Sequence, residues 1–202
     1  MVRHLSLGNG SLLVNLDDSL RLRDLYYPYA GQENHVLGKP HKIGVHADRF
    51  SWIKDWDTEP RYMQDTILAD SKAVNKSEGL EIDFRDAVEC DRPVFLREIN
   101  VHNKEDYSRE VELFFKQSFD LYGTEMGDTC FYHPEYSGVV HYKKNRYMLA
   151  EVKNEGGICG DLEQHGIYRS GAEDGIRSGT LNSDAIAQGN VDSVISIKVE
   201  LE

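Results

Sequence analysis

Glu33 and His35 stand two residues apart, and a carboxylate beside an imidazole is the minimum for general acid–base chemistry. They lie in the stretch Tyr26-Tyr27-Pro28-Tyr29-Ala30-Gly31-Gln32-Glu33-Asn34-His35. Its apolar groups follow neither the two-residue period of a strand nor the 3.6-residue period of a helix, so it reads as an ordered loop. Pro28 fixes its own φ and drives Tyr27 toward an extended conformation, and Gly31 can turn the chain. Tyr26, Tyr27 and Tyr29 supply rings that lose little entropy on contact; Gln32, Glu33, Asn34 and His35 add amide, carboxylate and imidazole. Two readings are open. The stretch is either a surface shaped to fit a partner or substrate, or tyrosines capping a sheet end beside solvated polar groups.

Hydrolysis of a glycosidic bond needs two carboxyl groups, roughly 6.5–9.5 Å apart when the reaction inverts configuration. Thirty-five acidic residues supply many neighbours, among them Asp17/Asp18, Asp55/Asp57 and Glu173/Asp174. Each pair falls in a polar turn and reads as solvated surface, so no catalytic residue is assigned. His41 and His46 are five apart and would face opposite sides of one strand, a poor metal site. His133 and His141 flank a turn, where strand pairing could bring them together. Cys90, Cys130 and Cys159 are odd in number and widely spaced, which fits a reducing compartment and neither a disulfide framework nor zinc. Gly8-Asn9-Gly10 leads into a strand and not a helix, so it is a turn and not a phosphate loop. No cofactor motif is present. Trp52 and Trp56, in an acidic segment, are either sugar-stacking rings or half-buried core residues.

The elements around these groups read as strands. Candidates are Ser11 to Leu16, Leu20 to Leu25, His41 to Ala47, Arg49 to Ile53, Ile67 to Val74, Gly79 to Glu89, Pro93 to His102 and Arg109 to Phe119. Leu80, Ile82 and Phe84 alternate with Glu81, Asp83 and Arg85, the mark of a half-buried strand. Short polar connections at 75–78 and 103–106 suggest one antiparallel meander. Cys130 to Tyr132, Gly138 to Lys143 and Arg146 to Val152 continue it, with Lys144-Asn145 as a two-residue hairpin turn. Asn154 to Asn190 reads mostly as long surface loops, with a short strand at Gly157 to Leu162. A clear strand then runs through Ile195, Ile197, Val199 and Leu201. No sustained helical periodicity, repeat or linker is visible, so residues 1–202 read as a single all-β domain of packed antiparallel sheets. A strand still in phase at the last residue suggests a chain cut near the end of an element, with Leu201-Glu202 native or vector-derived.

With 40% apolar residues the chain can bury a substantial core. A net charge of -12 argues against nucleic acid and anionic membranes as partners. No window approaches the roughly 18 apolar residues of a membrane span, and Met1 to Asn9 lacks the apolar core of a signal peptide. A cytoplasmic protein is expected.

The run Leu7 to Asn15, then Arg23-Asp24-Leu25-Tyr26-Tyr27-Pro28 and Gly31 to His35, resembles the N-terminal domain of prokaryotic glucoamylases of glycoside hydrolase family 15. Glucodextranases and some trehalases are relatives. Gly127-Asp128-Thr129, His141-Tyr142-Lys143 and Ala187 to Ser193 resemble the same domain in the same order. The resemblance implies an antiparallel supersandwich of two large stacked sheets with little helix. It also implies that the acid and base glutamates lie on a separate (α/α)₆ barrel, which no part of this chain matches. The domain would then pack on that barrel as its partner, with Tyr26, Tyr27, Tyr29, Gln32, Glu33, Asn34 and His35 as docking or pocket-rim residues. The parent enzyme would hydrolyse α-glucosidic bonds with inversion. Two alternatives stand beside it. One is a free-standing module that binds α-glucan oligosaccharides through Trp52, Trp56 and the tyrosines of the loop. The other is a mutarotase-like enzyme using His35 with Glu33, or His141.

Overall fold

Alternation along the chain decides most of what forms. The computed structural model describes residues 3–124, 126–153 and 162–202. A hairpin sheet opens it: β1 (Arg3–Gly8), β2 (Leu13–Asp17) and β3 (Leu22–Tyr26) pair in order. Asn9 shapes the first turn, its Oδ1 accepting from the Ser11 and Leu12 N–H groups at 3.1 and 2.9 Å. Its Nδ2 reaches across to the Glu89 and Arg92 carbonyls, so the turn also ties two sheets together.

β4 (Lys42–His46) and β5 (Phe50–Trp52) follow, then β6 (Asp57–Glu59), β7 (Ala69–Asn75), β8 (Leu80–Val88) and β9 (Phe95–Asn103). β6 to β9 form a four-stranded meander. Leu80, Ile82 and Phe84 of β8 are buried, and Glu81, Asp83 and Arg85 line the opposite face. The meander stops there, contrary to the sequence reading. β10 (Arg109–Ser118) leaves for another sheet, where it pairs with β4 and with the last strand, β16 (Asp192–Leu201). That five-stranded sheet runs β14-β16-β10-β4-β5, with β14 at Gln164–Tyr168. The fourth sheet holds β11 (Asp128–His133), β12 (Gly138–Lys143), β13 (Arg146–Glu151) and β15 (Ile186–Gly189) in the order β13-β12-β11-β15.

The chain is all-β, but the expected pair of large stacked sheets is not what forms. Sheets of three, five, four and four strands close into a propeller-like ring. Leu5, Leu7, Val14 and Leu16 of the first sheet pack with Ala69, Val88 and Phe95 of the meander. The meander's Ile82 and Phe84 pack with Val45, Leu113 and Ile197 of the five-stranded sheet. Ile167 and Ile195 of that sheet meet Cys130 and Val139 of the fourth. Met148 of the fourth sheet returns to the first. The physical reason for the miss is that a period of two says which face of a strand is buried and nothing about its neighbour.

The span expected to be loops also carries structure. β14, β15 and a helix, α1 (Ala172–Ser178), lie within it. Gly171 and Gly179, both at positive φ, bracket α1, and the Gly179 N–H caps it on the Gly175 and Ile176 carbonyls. Ala172 and Ile176, one turn apart, seat it on Phe114 and Trp52. Two apolar residues are too few to show as a period. The strand expected at Gly157 to Leu162 lies outside the described residues but for Leu162. Among the described residues no helix is long and apolar enough to cross a membrane.

Candidate functional site

The tyrosine–proline loop leaves β3 and is fastened from beneath by one side chain. Asn34 Oδ1 accepts from the Leu25 and Val36 N–H groups at 3.2 and 3.0 Å, and its Nδ2 donates to Asp24 Oδ1 at 2.7 Å. Asp24 is buried and also accepts from Asn15 Nδ2 at 3.2 Å. The Tyr27 N–H donates to the Glu33 carbonyl and the Ala30 N–H to the Gly10 carbonyl, closing the loop on itself and on the first turn. Gly31 sits at φ 81, where a side chain would be strained.

His35 is buried, and both of its nitrogens are engaged. The Tyr122 backbone N–H donates to Nδ1 at 3.2 Å, so Nδ1 carries the lone pair. Nε2 therefore holds the proton and donates to the Tyr27 carbonyl at 2.7 Å. Burial, the largest cause, lowers the pKa of His35 against the opposing pull of the Tyr27 carbonyl and Glu33. Glu33 lies 3.7 Å from Nε2, yet its carboxylate is held by Arg146, at 3.0 Å from Nε and 3.1 Å from Nη2. The guanidinium lies over the rings of Tyr122 and Tyr27, 5.1 and 5.9 Å from their centroids. Glu33 and His35 thus meet as structural groups, with no free proton acceptor between them. The acid–base reading of this pair does not fit. His35→Ala should lose about 2–4 kcal/mol of stability, because two buried backbone groups lose partners; chemical denaturation of variant and parent measures it.

The loop presents its remaining residues outward. Tyr29 is 62% exposed, Ala30, Gly31 and Gln32 are exposed, and Tyr26 and Tyr27 are half-buried. Trp52 and Trp56 are elsewhere and in the core, 3% and 8% exposed. Trp56 Nε1 donates to Ser51 Oγ at 3.1 Å, and neither indole offers an open face to a sugar. His133 and His141 are not brought together: Cys130 pairs with His141 and His133 with Gly138, which puts the two rings on opposite faces of the fourth sheet.

Behind the loop lies a polar cluster that residue-by-residue reading missed. The Asp120 N–H donates to the His35 carbonyl, and Lys39 Nζ stands 3.7 Å from the buried Asp120 carboxylate. Asp128 is fully buried with its carboxylate 3.3 Å from Lys143 Nζ; burial pushes its pKa up, and Lys143 opposes the shift. Lys143 Nζ also donates to the Leu121 and Thr124 carbonyls, each at 3.0 Å. Deeper in, Phe119 lies between the rings of His41 and His141, at 4.6 and 4.9 Å. His141 Nε2 is 2.7 Å from Ser193 Oγ, which donates to Gln117 Oε1. A signal for this cluster did exist. The separate blocks Gly127 to Thr129, His141 to Lys143 and Ala187 to Ser193 converge here, through Asp128 pairing Gly189 and Lys39 bonding Asn190 at 3.0 Å.

Hydrolytic chemistry asks for two carboxyl groups open to a substrate, and Asp120 and Asp128 are 2% and 0% exposed. An open recess of about 390 Å³ is lined by Ile167, Tyr168, Arg169, Ser170, Asn182, Asp184, Ile186 and Ala187, which include a single carboxylate. The three-residue group Glu81, Asp83 and His102, whose ligand atoms lie within 4.8 Å of one another, already holds Lys72 and Lys104.

No protein-family model matches the chain. Over 114 residues, 56% of its length, it is 25% identical to an uncharacterized glycosyl hydrolase of Methanocaldococcus jannaschii. It is also similar to a bacterial glucoamylase whose crystal structure was determined in complex with acarbose. The two share a TM-score of 0.78 over 98% of this chain, at 11% identity. At that identity the likeness is one of fold. The chain spans 18% of the length of the first protein and 31% of the second. It is an all-β domain similar to part of a glycosyl hydrolase and, in fold, to part of a glucoamylase.

Proposed function

We propose that this chain is the non-catalytic N-terminal domain of a glucoamylase-like glycoside hydrolase that cleaves α-glucosidic bonds with inversion. The observation that carries the reading is the fold likeness, which takes in nearly the whole chain and under a third of the glucoamylase. The buried carboxylates Asp120 and Asp128 and the single carboxylate of the surface recess fit a domain that leaves the chemistry to another. In this reading the domain packs on a catalytic (α/α)₆ barrel, stabilises it, and lends the tyrosine loop to the rim of the pocket. Tyr29 and Gln32 are outward and free to make that contact; Glu33, Asn34 and His35 hold the loop in shape. The free thiols Cys90 and Cys130 suit a cytoplasmic setting.

The test is steady-state kinetics on the polypeptide encoded by the complete gene. Tyr29→Ala and Gln32→Ala should raise KM by about 3–10-fold, the loss of roughly 1 kcal/mol of contact, and leave kcat within about twofold. The 202-residue chain alone should release no glucose from malto-oligosaccharides. Turnover by the isolated chain, or its complete loss in a folded Gln32→Ala enzyme, would move the active site into this domain.

A further inference from the structure

The outer faces of the meander and of the fourth sheet differ in kind. On the meander the outer positions carry Asp70, Lys72, Glu81, Asp83, Arg85 and Glu98, linked by ion pairs such as Lys72–Glu81 at 2.8 Å and Arg85–Glu98 at 3.6 Å. This is how an antiparallel sheet meets water. The fourth sheet does the opposite. Its register places Ile186, Phe131, Val140 and Leu149 in one row across all four strands, with Tyr142 beside Tyr147 in the next. Ile186 and Tyr147 are each 62% exposed and Leu149 46%. The rings of Tyr142 and Tyr147 are parallel to within 9°, 5.6 Å apart. Along β13 the first charge on this face comes at Glu151, at the far end.

A contiguous apolar face on a chain of net charge -12 marks a surface that is covered in the working protein. We infer that the outer face of the β13-β12-β11-β15 sheet is where the rest of a longer glycosidase polypeptide seats, an inference that rests on the function proposed above. Two observations choose this occupant. First, a fold like this one makes up 31% of the glucoamylase chain, so most of such a polypeptide is available to cover it. Second, the face adjoins the tyrosine loop across the edge strand β13. Arg146, the first residue of β13, grips Glu33 of the loop from the inner side of that strand, and Tyr147, the next residue, opens the apolar face on the other side. A partner body resting on the exposed Tyr29 and Gln32 would reach Tyr147 and Leu149 by wrapping the β13 edge. The surface it presents there would be apolar and uncharged, since a buried lone charge would go unpaired.

Hydroxyl-radical footprinting tests this on the complete polypeptide and on the 202-residue chain in parallel. Tyr147 and Ile186 should be labelled at least fivefold more slowly in the complete polypeptide. Tyr107, 47% exposed on a different edge, should label alike in both. A paired substitution, Leu149→Lys with Ile186→Lys, should leave the melting temperature of the 202-residue chain unchanged and lower that of the complete polypeptide. Leu96→Lys, at a 54% exposed position on the charged meander, should change neither. Equal labelling of Tyr147 in the two proteins overturns the inference, as does protection of Tyr147 in the isolated chain by malto-oligosaccharides, which would make the face a sugar platform. Self-association of the isolated chain through this face that persists in the complete polypeptide overturns it too, in favour of a second copy. A complete gene encoding no glycosidase domain instead removes the proposed function beneath it; an exposed Tyr147 in a genuine glycosidase removes this inference alone.

Discussion

Acid should unfold this protein well before its carboxylates are fully protonated. Burial, the dominant cause at both sites, lowers the pKa of His41 and of His141 from 6.5 to about 3. At His41 the neighbouring His141 and Lys116 push further down, and at His141 Asp192 pulls slightly back. The sign follows from proton counts. Between pH 6.5 and 3 the unfolded chain binds a proton at each imidazole that the folded chain excludes, so stability is complete above pH 6.5 and falls as pH falls. At pH 4 each histidine has lost up to about 3 kcal/mol, so the pair costs on the order of 5 kcal/mol, comparable with the whole stability of many domains. Asp128, its pKa raised by burial, acts in the opposite sense and offsets part of this. Urea midpoints taken from pH 7.5 to 4 measure the slope, and His41→Gln with His141→Gln should flatten it. Imidazole proton resonances of His41 and His141 that titrate near pH 6.5 in the folded protein would sink the prediction.

The largest single-site loss outside the apolar core is expected at Asp86→Ala. Asp86 is 1% exposed and receives Arg97 in a two-pronged bond, Nε at 2.6 Å and Nη2 at 2.9 Å. The same guanidinium donates to the Leu20 carbonyl at 3.1 Å and lies over Phe84 and Phe95. It therefore joins the meander to the β2–β3 turn of the first sheet. Removing the carboxylate leaves a cation among aromatic rings with one carbonyl for company, a cost of about 3–5 kcal/mol. Glu98→Ala, which breaks an exposed pair with Arg85, should cost under about 0.5 kcal/mol. Guanidinium denaturation of both variants separates the cases. Equal losses would mean that burial does not set the strength of these pairs.

Much of the strand content was legible because a half-buried strand must alternate. Leu80 to Phe84 and Ile195 to Leu201 are strands where the pattern puts them, and Lys144-Asn145 turns a hairpin as its length implies. Partnership was not legible. The partners of β10 are β4 and β16, both distant in sequence, while the adjacent β9 is not one of them. The stiff backbone of the tyrosine loop could be read from Pro28 and Gly31. The residues that hold it, Asp24, Tyr122 and Arg146, are fixed only by tertiary structure. That also explains why Glu33 and His35 looked like chemistry: they were read without the partners that occupy them. Of the two readings open for Trp52 and Trp56 the structure takes the core one, since an acidic neighbourhood along the chain need not be a wet one in space.

The place of β16 has a consequence for how the chain is made. It lies inside the five-stranded sheet, paired with β10 over ten residues on one side and with β14 on the other. The first sheet and the meander are built from hairpin neighbours and can assemble early in synthesis. The five-stranded sheet cannot close until Leu201 has left the ribosome, so Val111, Leu113 and Phe114 wait with their apolar faces uncovered. During translation the molecule passes through a half-built stage with an open sheet edge. This is the interval in which a chaperone would find it.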